Sequence, residues 1–216
     1  MKISNLFAVP IAEFWMDDPD DFCEELRNVF LEKEQQGDRF RNEIQRDTQK
    51  GALFESRFDL YEWPDPPIKK LASYVHSHLS QVIAGLSDYS PEEMRKLKFV
   101  YHAWYHITRK GGHQGIHNHA NASWSGIFCI DPGSDVADRP DSGIVYFHDP
   151  RSNGNYYEDA GNARLKAANR HGALRVKHEK GKLTIFPSYL LHEIFPYFGD
   201  KPRIIAPFNC WIRMED

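Results

Sequence analysis

The chain has 216 residues, of which 41% are hydrophobic, 27% charged and 13% aromatic, values that exclude a disordered or fibrous protein. The formal net charge of −4 argues against nucleic-acid binding driven by neutralisation of phosphates. Three cysteines without CxxC spacing form neither a disulfide framework nor a zinc-thiolate site. No stretch approaches the roughly 20 apolar residues of a membrane span, and the N-terminus lacks the apolar core of a signal peptide. We therefore expect a cytoplasmic protein that binds neither nucleic acid nor membrane.

The first 96 residues predict a lead-in strand and two supporting helices. Residues 1–15 are expected to be extended, because Pro10 interrupts a short apolar run. Apolar residues at helical spacing predict helices over 17–36 and 67–86. These apolar residues are Phe22, Leu26, Val29 and Phe30 in the first helix, and Ile68, Leu71, Val75, Leu79, Val82 and Ile83 in the second. Residues 38–65 are polar and predict irregular structure.

From residue 97 onward the pattern changes to short aromatic and β-branched runs separated by Gly, Pro, Asp and Asn. At least six such runs predict a jelly roll or β-sandwich. We expect a single domain over 1–216, in which two helices pack on the major sheet of a jelly-roll core formed by 97–216. The segment 150–170 shows no strand pattern, and a loop of this length is typical of a lid or substrate-binding segment.

Two histidines, His117 and His119, precede the predicted strand SWSGIFCI. On an extended backbone, side chains at i and i+2 point to the same side, so both imidazoles can face one metal ion. The glycines before the pair and the small residues after it leave room for a ligand. The alternative interpretation is a polar loop that happens to be rich in histidine.

A third histidine, His192, follows the apolar strand KLTIFP at a distance of 73 residues from His119 (192 − 119). That gap is long enough for the chain to leave and return on the opposite sheet. Three imidazoles on two strands could hold a divalent iron and leave coordination positions open. By itself, His192 would be interpreted as a buried, hydrogen-bonded core histidine.

Two further residues are candidates for binding an organic acid. Arg203 opens the strand RIIAPFNCW, 11 residues after His192 (203 − 192), and a turn at Gly199–Asp200 would bring it back toward the metal. A buried guanidinium is costly unless it meets an anion, and its planar shape suits a carboxylate. Tyr105 could donate a hydrogen bond to the same acid if it faces the cavity, although packing in the core is the alternative.

The order of these motifs resembles that of the 2-oxoglutarate- and iron(II)-dependent oxygenases. HxH is followed after about 70 residues by GxLxxFPxxxxH and then by Arg, and the HxH-before-WSG arrangement resembles a bacterial branch of that superfamily. The resemblance covers about residues 97–212. It implies a double-stranded β-helix, Fe(II) and 2-oxoglutarate as cofactors, and hydroxylation of an unknown small-molecule or peptide substrate.

Carried over residue by residue, the resemblance implies that His117, His119 and His192 bind iron and that Arg203 binds the distal carboxylate of 2-oxoglutarate. Tyr105 is a further candidate contact to the co-substrate. This chain departs from the usual pattern at His119, where the superfamily has a carboxylate. Asp149 could supply that carboxylate instead. Two other functions stay open: a three-histidine cupin-type dioxygenase without 2-oxoglutarate, and a non-catalytic jelly-roll module that binds a ligand.

Overall fold

Two antiparallel β-sheets face each other, and helices cover the outer face of the larger sheet. The computed structural model describes residues 1, 7–151, 159–166 and 169–215. Their helices are α1 (Asp20–Gln35), α2 (Pro66–Leu86) and α3 (Pro91–Arg95). The strands are β1 (Ala12–Trp15), β2 (Gln49–Lys50), β3 (Leu53–Glu55), β4 (Leu97–Ala103), β5 (His106–Thr108), β6 (His113–His117), β7 (Trp124–Asp131), β8 (Val145–Phe147), β9 (Leu174–Val176), β10 (Lys182–Pro187), β11 (His192–Ile194) and β12 (Arg203–Met214).

The strand order is that of a jelly roll, which confirms the predicted fold class. The larger sheet has the order β1-β10-β7-β12-β5-β3, with β4 also paired to β12. The smaller sheet has the order β2-β6-β11-β8-β9. Non-consecutive strands therefore lie side by side in both sheets, so residues far apart in sequence meet between them.

Both predicted helices form, and both bury the predicted faces. Asp65 stands at the N-cap of α2, with prolines in the first turn, where a missing N–H costs nothing. All six predicted apolar residues of α2 are buried. In α1, Phe22, Leu26 and Phe30 are buried, whereas Val29 is only partly covered. Acidic residues in the first turn and Lys33 in the last turn of α1 complement the helix dipole.

The helices pack on the larger sheet through one continuous apolar cluster. Its helical members contact residues of β7, β10 and β12, among them Phe128, Leu183, Ile185, Ile204 and Phe208. A second cluster fills the space between the two sheets and comprises Ile127, Cys129, Val145, Phe147, Val176, Phe186, Leu190, Ile194 and Ile205. We call this second group the inter-sheet cluster. The larger sheet separates this cluster from the helix layer.

Two short strands occur where the sequence predicted irregular structure. β2 pairs with β6, and β3 pairs with β5, so the segment 38–65 contributes an edge strand to each sheet. These strands are only two and three residues long and partly polar. Tertiary pairing rather than local hydrophobic alternation therefore stabilises them.

The predicted lid over 150–170 lies partly outside the described residues. Within the part that the structure describes, residues 159–164 form a bend and turns rather than a helix or strand. Among the described helices, none combines the length and apolar character that crossing a membrane would require.

The apolar clusters predict that the β-core depends on its helices for folding. A fragment that starts at Leu97 lacks α1 and α2 and leaves the outer face of β7, β10 and β12 uncovered. We expect this fragment to be insoluble or to unfold without a cooperative transition, because each large apolar side chain left in water loses about 1.5–3 kcal/mol. Circular dichroism during urea titration measures whether the fragment unfolds in a cooperative transition. A chain that starts at Pro10, which keeps β1 and both helices, is the control and should unfold cooperatively. A cooperative transition in the shorter fragment would show that the core folds independently.

Candidate metal centre

The pairing of β6 with β11 places two predicted metal ligands opposite each other. His117 is the cross-strand partner of His192, and His192 also pairs with Phe147 on its other side. The expectation that His192 returns on the opposite sheet is wrong, because β6 and β11 are neighbours in the smaller sheet. The chain makes the sheet change before His192, at the turn where Leu190 N–H donates to the Pro187 carbonyl (3.0 Å).

His119 lies in the connection after β6 rather than on the strand itself. Its backbone N–H donates to the carbonyl of Ser188 at 3.0 Å, and this bond ties the connection to the turn before β11. The Ser188 hydroxyl in turn lies 2.7 Å from that of Ser125, which donates to Asn209 Oδ1 at 2.8 Å. A backbone hydrogen bond to the turn before β11, rather than the alternation of an extended strand, therefore positions His119.

The three histidines converge on one point. Each can present a ring nitrogen such that all three lie within 4.8 Å of one another. The ring centroids of His117 and His192 are 4.3 Å apart, and that of His119 is 5.2 Å from each. The set predicted from sequence is thus brought together by the fold.

Hydrogen bonds to the backbone fix the ring orientation of two of these histidines. His117 Nδ1 lies 2.8 Å from the Gly115 carbonyl, and His192 Nδ1 lies 2.9 Å from the Leu190 carbonyl. Because a carbonyl only accepts, Nδ1 must carry the proton in both rings. The lone pair then resides on Nε2, which is the nitrogen left free to bind a metal ion.

Burial keeps these imidazoles neutral. It lowers the pKa of His119 to about 3, with the neighbouring His117 adding to the effect. The pKa values of His117 and His192 are also lowered, first by burial. Neutral imidazole is the form that binds a metal ion, so the site does not have to lose protons before binding at neutral pH.

A buried carboxylate next to the histidines was missed by the sequence analysis. Glu55 Oε2 lies 2.8 Å from His106 Nε2, which is also 3.1 Å from the indole nitrogen of Trp104. The Trp104 ring contacts His119 at a centroid distance of 5.8 Å. His106 and Trp104 share a face by alternation and were recognisable as a pair, but Glu55 lies in the segment predicted to be irregular and gave no signal.

Burial opposes the ionisation of Glu55, but its partners outweigh it. Hydrogen bonds from His106 and from Asn42, together with the charge of Arg46, lower the pKa of this carboxyl to about 2. The Asn42 amide donates to Oε1 at 2.7 Å, and Arg46 Nη1 lies 3.4 Å from both oxygens. Glu55 is therefore a fixed negative charge near a set of ligands that has none.

Arg203 begins β12, as predicted, and its side chain is buried. The residue is 2% exposed, and among the described residues its Nε and Nη2 atoms have no hydrogen-bond acceptor. It lies in the larger sheet, whereas β11 lies in the smaller one, so the two strands are not the hairpin that the turn at Gly199–Asp200 suggested. Burial lowers the pKa of Arg203 to about 10, so the guanidinium stays charged at neutral pH.

Two other candidates have different partners from those expected. Tyr105 is fully buried in the helix-side cluster, stacked on Phe30 at 4.2 Å, and its hydroxyl donates to the Phe30 carbonyl at 3.3 Å. Tyr105 alternates with Trp104 and His106 and lies in the helix-side cluster, whereas His106 bonds to Glu55. Asp149 forms a two-pronged ion pair with Arg151 at 2.9 and 2.7 Å, which lowers its pKa. Neither is brought to the three histidines.

The residues present fit an iron ion and a carboxylate co-substrate. Three converging neutral imidazoles are a suitable donor set for Fe(II). The unpartnered guanidinium of Arg203 suits an organic anion, since a buried cation is stable only when an anion compensates its charge.

Residues 102–209 match the sequence profile of the family described as "Putative 2OG-Fe(II) oxygenase". That match covers half of the chain and includes the three histidines and Arg203. No curated protein sequence is significantly similar to this chain.

Solved structures show the same fold at low sequence identity. A prolyl-4-hydroxylase from Pseudomonas putida is 13% identical, with a TM-score of 0.62, over 98% of this chain and 96% of that one. A prolyl hydroxylase from Trichoplax adhaerens, solved with a hypoxia inducible factor peptide, is 15% identical, with a TM-score of 0.64, over 96% and 84%. The carbocyclase SnoK of nogalamycin biosynthesis is 10% identical, with a TM-score of 0.64, over 94% and 79%.

The contacts of Glu55 predict a pH-dependent contribution to stability. Glu55→Gln should lower the free energy of unfolding at pH 7 by about 2 kcal/mol, because it removes charge-assisted hydrogen bonds inside the protein. Because folding lowers the pKa of Glu55, its charge stabilises the folded state at pH values above the ordinary pKa of 4.5. This contribution is lost as the pH falls toward 2. The difference in the free energy of unfolding between wild type and Glu55→Gln should therefore decrease as the pH is lowered over that range.

Urea unfolding at a series of pH values measures the difference. Glu215→Gln is the matched control, since Glu215 forms an ion pair with Lys98 in which both side chains are 61% exposed. Equal stability of wild type and Glu55→Gln at pH 7 would contradict a structural role for the buried carboxylate.

Proposed function

Because this chain belongs to the 2OG-Fe(II) oxygenase family, we propose that His117, His119 and His192 hold its Fe(II) and that Arg203 holds the distal carboxylate of 2-oxoglutarate. The single observation that carries the proposal is the convergence of three neutral imidazoles, with their ligand nitrogens within 4.8 Å. The buried Nε and Nη2 atoms of Arg203, which have no acceptor among the described residues, support the assignment of Arg203 to the distal carboxylate. When both are bound, iron and 2-oxoglutarate supply the oxidation of a substrate C–H bond by O₂, with decarboxylation of 2-oxoglutarate to succinate.

The chain's own residues orient and shield this chemistry. The Nδ1 protons of His117 and His192 bond to backbone carbonyls and hold Nε2 toward the metal position. The inter-sheet cluster reaches His192 through Phe147 and Phe186, whose ring centroids lie 5.7 and 4.9 Å from the imidazole. These apolar side chains keep water away from one side of the site. Arg203 supplies a positive charge that favours a dicarboxylate over a monocarboxylate.

The proposal also includes a substrate class and a cellular location. A net charge of −4 favours a small molecule or peptide over a nucleic acid. A cytoplasmic location is supported by three buried cysteines that are free thiols.

Iron binding tests the three-histidine site. We expect His117→Ala, His119→Ala and His192→Ala each to weaken Fe(II) binding by more than about 100-fold, because loss of a ligand costs more than loss of an outer-shell contact. His119→Asp should keep most of the affinity, since a carboxylate also binds Fe(II). Anaerobic equilibrium dialysis with iron quantification measures the dissociation constants.

His113→Ala serves as the matched control for these variants. This histidine lies on the same strand, and its Nδ1 bonds to the Gly111 carbonyl, away from the other three. Full iron affinity in His119→Ala would rule out the three-histidine site.

Binding of 2-oxoglutarate tests the role of Arg203. A charge-assisted hydrogen bond contributes about 1.5–3 kcal/mol, so Arg203→Ala should weaken 2-oxoglutarate binding by roughly 10- to 150-fold. Iron affinity should change much less, because Arg203 is not a ligand. The affinity of variant and wild type is measured by titrating 2-oxoglutarate into anaerobic, iron-loaded protein. The metal-to-ligand charge-transfer band reports the binding.

Arg213→Ala is the control for this titration, because Arg213 lies on the same strand at its exposed end. If wild type shows neither band nor binding, the co-substrate assignment fails. If Arg203→Ala binds as tightly as wild type, the anchor is another residue.

A further inference from the structure

One side of β12 runs from the inter-sheet cluster to an open end of the jelly roll. Alternation places Ile205, Asn209 and Trp211 on the same side of the strand. Ile205 belongs to the inter-sheet cluster, so this side faces the interior. Ile205 is 1% exposed, whereas Asn209 and Trp211 are only half-buried. The cover over this interior face therefore ends before the strand does, at the end opposite Arg203.

A row of polar side chains crosses this open end. Asn209 is the cross-strand partner of His102 on β4 and of Ser125 on β7, and cross-strand partners point to the same side of a sheet. Ser125 Oγ lies 2.7 Å from Ser188 Oγ, and the Ser188 carbonyl accepts the backbone N–H of His119 at 3.0 Å. The row thus connects the candidate metal centre at His119 with β4.

The hydrogen bonds of this row fix the orientation of the Asn209 amide. Ser125 Oγ donates its single proton to Asn209 Oδ1 at 2.8 Å, so Ser188 must donate its own proton to Ser125. The amide oxygen of Asn209 is therefore occupied. Its Nδ2 group points away from Ser125 and has no acceptor among the described residues. These N–H donors are available to a ligand that carries a carbonyl oxygen.

Aromatic rings lie beside this amide. The His102 ring contacts Trp211 at a centroid distance of 4.8 Å and stacks on Phe58 at 6.4 Å. Phe58 contacts Trp104 at 4.9 Å, and Trp104 contacts His119 at 5.8 Å. We call the four residues Trp104, Phe58, His102 and Trp211 the aromatic strip. It extends without a break from the candidate metal centre, where Trp104 is buried, to the surface, where His102 is exposed.

The charged side chains next to the aromatic strip are paired with one another. Arg46 lies over the Phe58 ring at 4.7 Å and pairs with Glu55 at 3.4 Å. Arg57, the neighbour of Phe58 in sequence, pairs with Asp59 at 2.9 Å. A group that packs against the strip therefore meets compensated charges at Phe58, which favours an uncharged group over an ion.

We propose that the aromatic strip and the Asn209 amide bind the substrate, and that this substrate carries an uncharged aromatic ring next to a carbonyl oxygen. The inference rests on the proposed function, since the strip begins at the proposed iron ligand His119. The ring packs against Trp211 and Phe58, and the carbonyl accepts from Asn209 Nδ2. Offset and edge-to-face contacts favour an aromatic ring over an aliphatic ring of the same size. The substrate then lies beside the candidate metal centre, at the end of β12 opposite Arg203.

Matched pairs of ring probes test this assignment. N-benzylacetamide represents a small molecule and acetyl-phenylalanine amide a peptide residue, and the cyclohexyl analogue of each has the same size without an aromatic ring. Calorimetric titration measures their dissociation constants with the anaerobic protein loaded with iron and 2-oxoglutarate, and again with the unloaded protein. We expect wild type to bind an aromatic probe about 2- to 12-fold more tightly than its cyclohexyl analogue. The pair with the larger ratio identifies the source of the ring.

Two variants remove the proposed contacts one at a time. Trp211→Leu keeps an apolar side chain but removes the ring, so it should abolish the preference for the aromatic probes and leave iron and 2-oxoglutarate binding unchanged. Asn209→Asp keeps the oxygen that accepts from Ser125 but removes the N–H donors. It should weaken binding of both members of each pair by about 2- to 12-fold, because all the probes share the carbonyl.

Trp15→Ala and Arg213→Ala are the matched controls. Trp15 is an indole on β1 that is 54% exposed, and Arg213 is an exposed cation on β12, two residues beyond Trp211. Neither change should alter the dissociation constants of the ring probes. A loss of the ring preference in Arg213→Ala would overturn the inference in favour of a charge-dependent site.

The outcomes separate this inference from the proposed function. Equal binding of aromatic and cyclohexyl probes to wild type, or no binding of either, overturns the inference, whereas the iron and 2-oxoglutarate titrations decide the proposed function. A ring preference that survives in Trp211→Leu also overturns it. If iron and 2-oxoglutarate do not bind but the ring preference is present and is lost in Trp211→Leu, only the proposed function fails. If Trp211→Leu does not fold, Asn209→Asp decides, and unchanged probe affinity in that variant overturns the inference.

Discussion

The antiparallel pairing of β6 with β11 is the constraint on which the candidate metal centre depends. It sets His117 directly opposite His192, although 75 residues separate them in sequence (192 − 117). In both histidines, Nδ1 bonds to the carbonyl two residues earlier in the chain, so local backbone geometry orients each ring once the strands are paired. His119 then joins them through its backbone bond to Ser188, in the turn that leads into β11. The pairing of these two strands therefore places all three candidate ligands close together.

The fold also places a negative charge near the three histidines inside the jelly roll. Three neutral imidazoles leave a bound divalent ion uncompensated, whereas the usual carboxylate ligand would remove one unit of charge. Glu55 is the nearby buried anion, and its pKa of about 2 keeps it ionised at neutral pH. It acts on His117 and His119 through space, while His106 and Arg46 hold it in place. Family membership favours an oxygenase over the non-catalytic module, and the unpartnered Arg203 favours a 2-oxoglutarate enzyme over a cupin-type dioxygenase.

The apolar interior connects the two ends of the proposed site. Phe147 and Phe186 of the inter-sheet cluster contact His192 at one end. Cys129, in the same cluster, is an electrostatic neighbour of Arg203 at the other end. The proposed co-substrate, a dicarboxylic keto acid, likewise has polar groups at its two ends and an apolar middle.

The sequence by itself determined the local features: both amphipathic helices, the strand-rich second half, and the choice of His117, His119, His192 and Arg203 as candidate site residues. These follow from hydrophobic periodicity and from residue types whose chemistry is distinctive. Tertiary structure alone decided which strands became neighbours, so His192 lies beside His117 rather than on the opposite sheet. It also turned Tyr105 toward the helices, paired Asp149 with Arg151, and buried Glu55 and His178. The physical reason is that periodicity reports one residue's position relative to its own element, whereas burial and partner choice depend on elements that are distant in sequence.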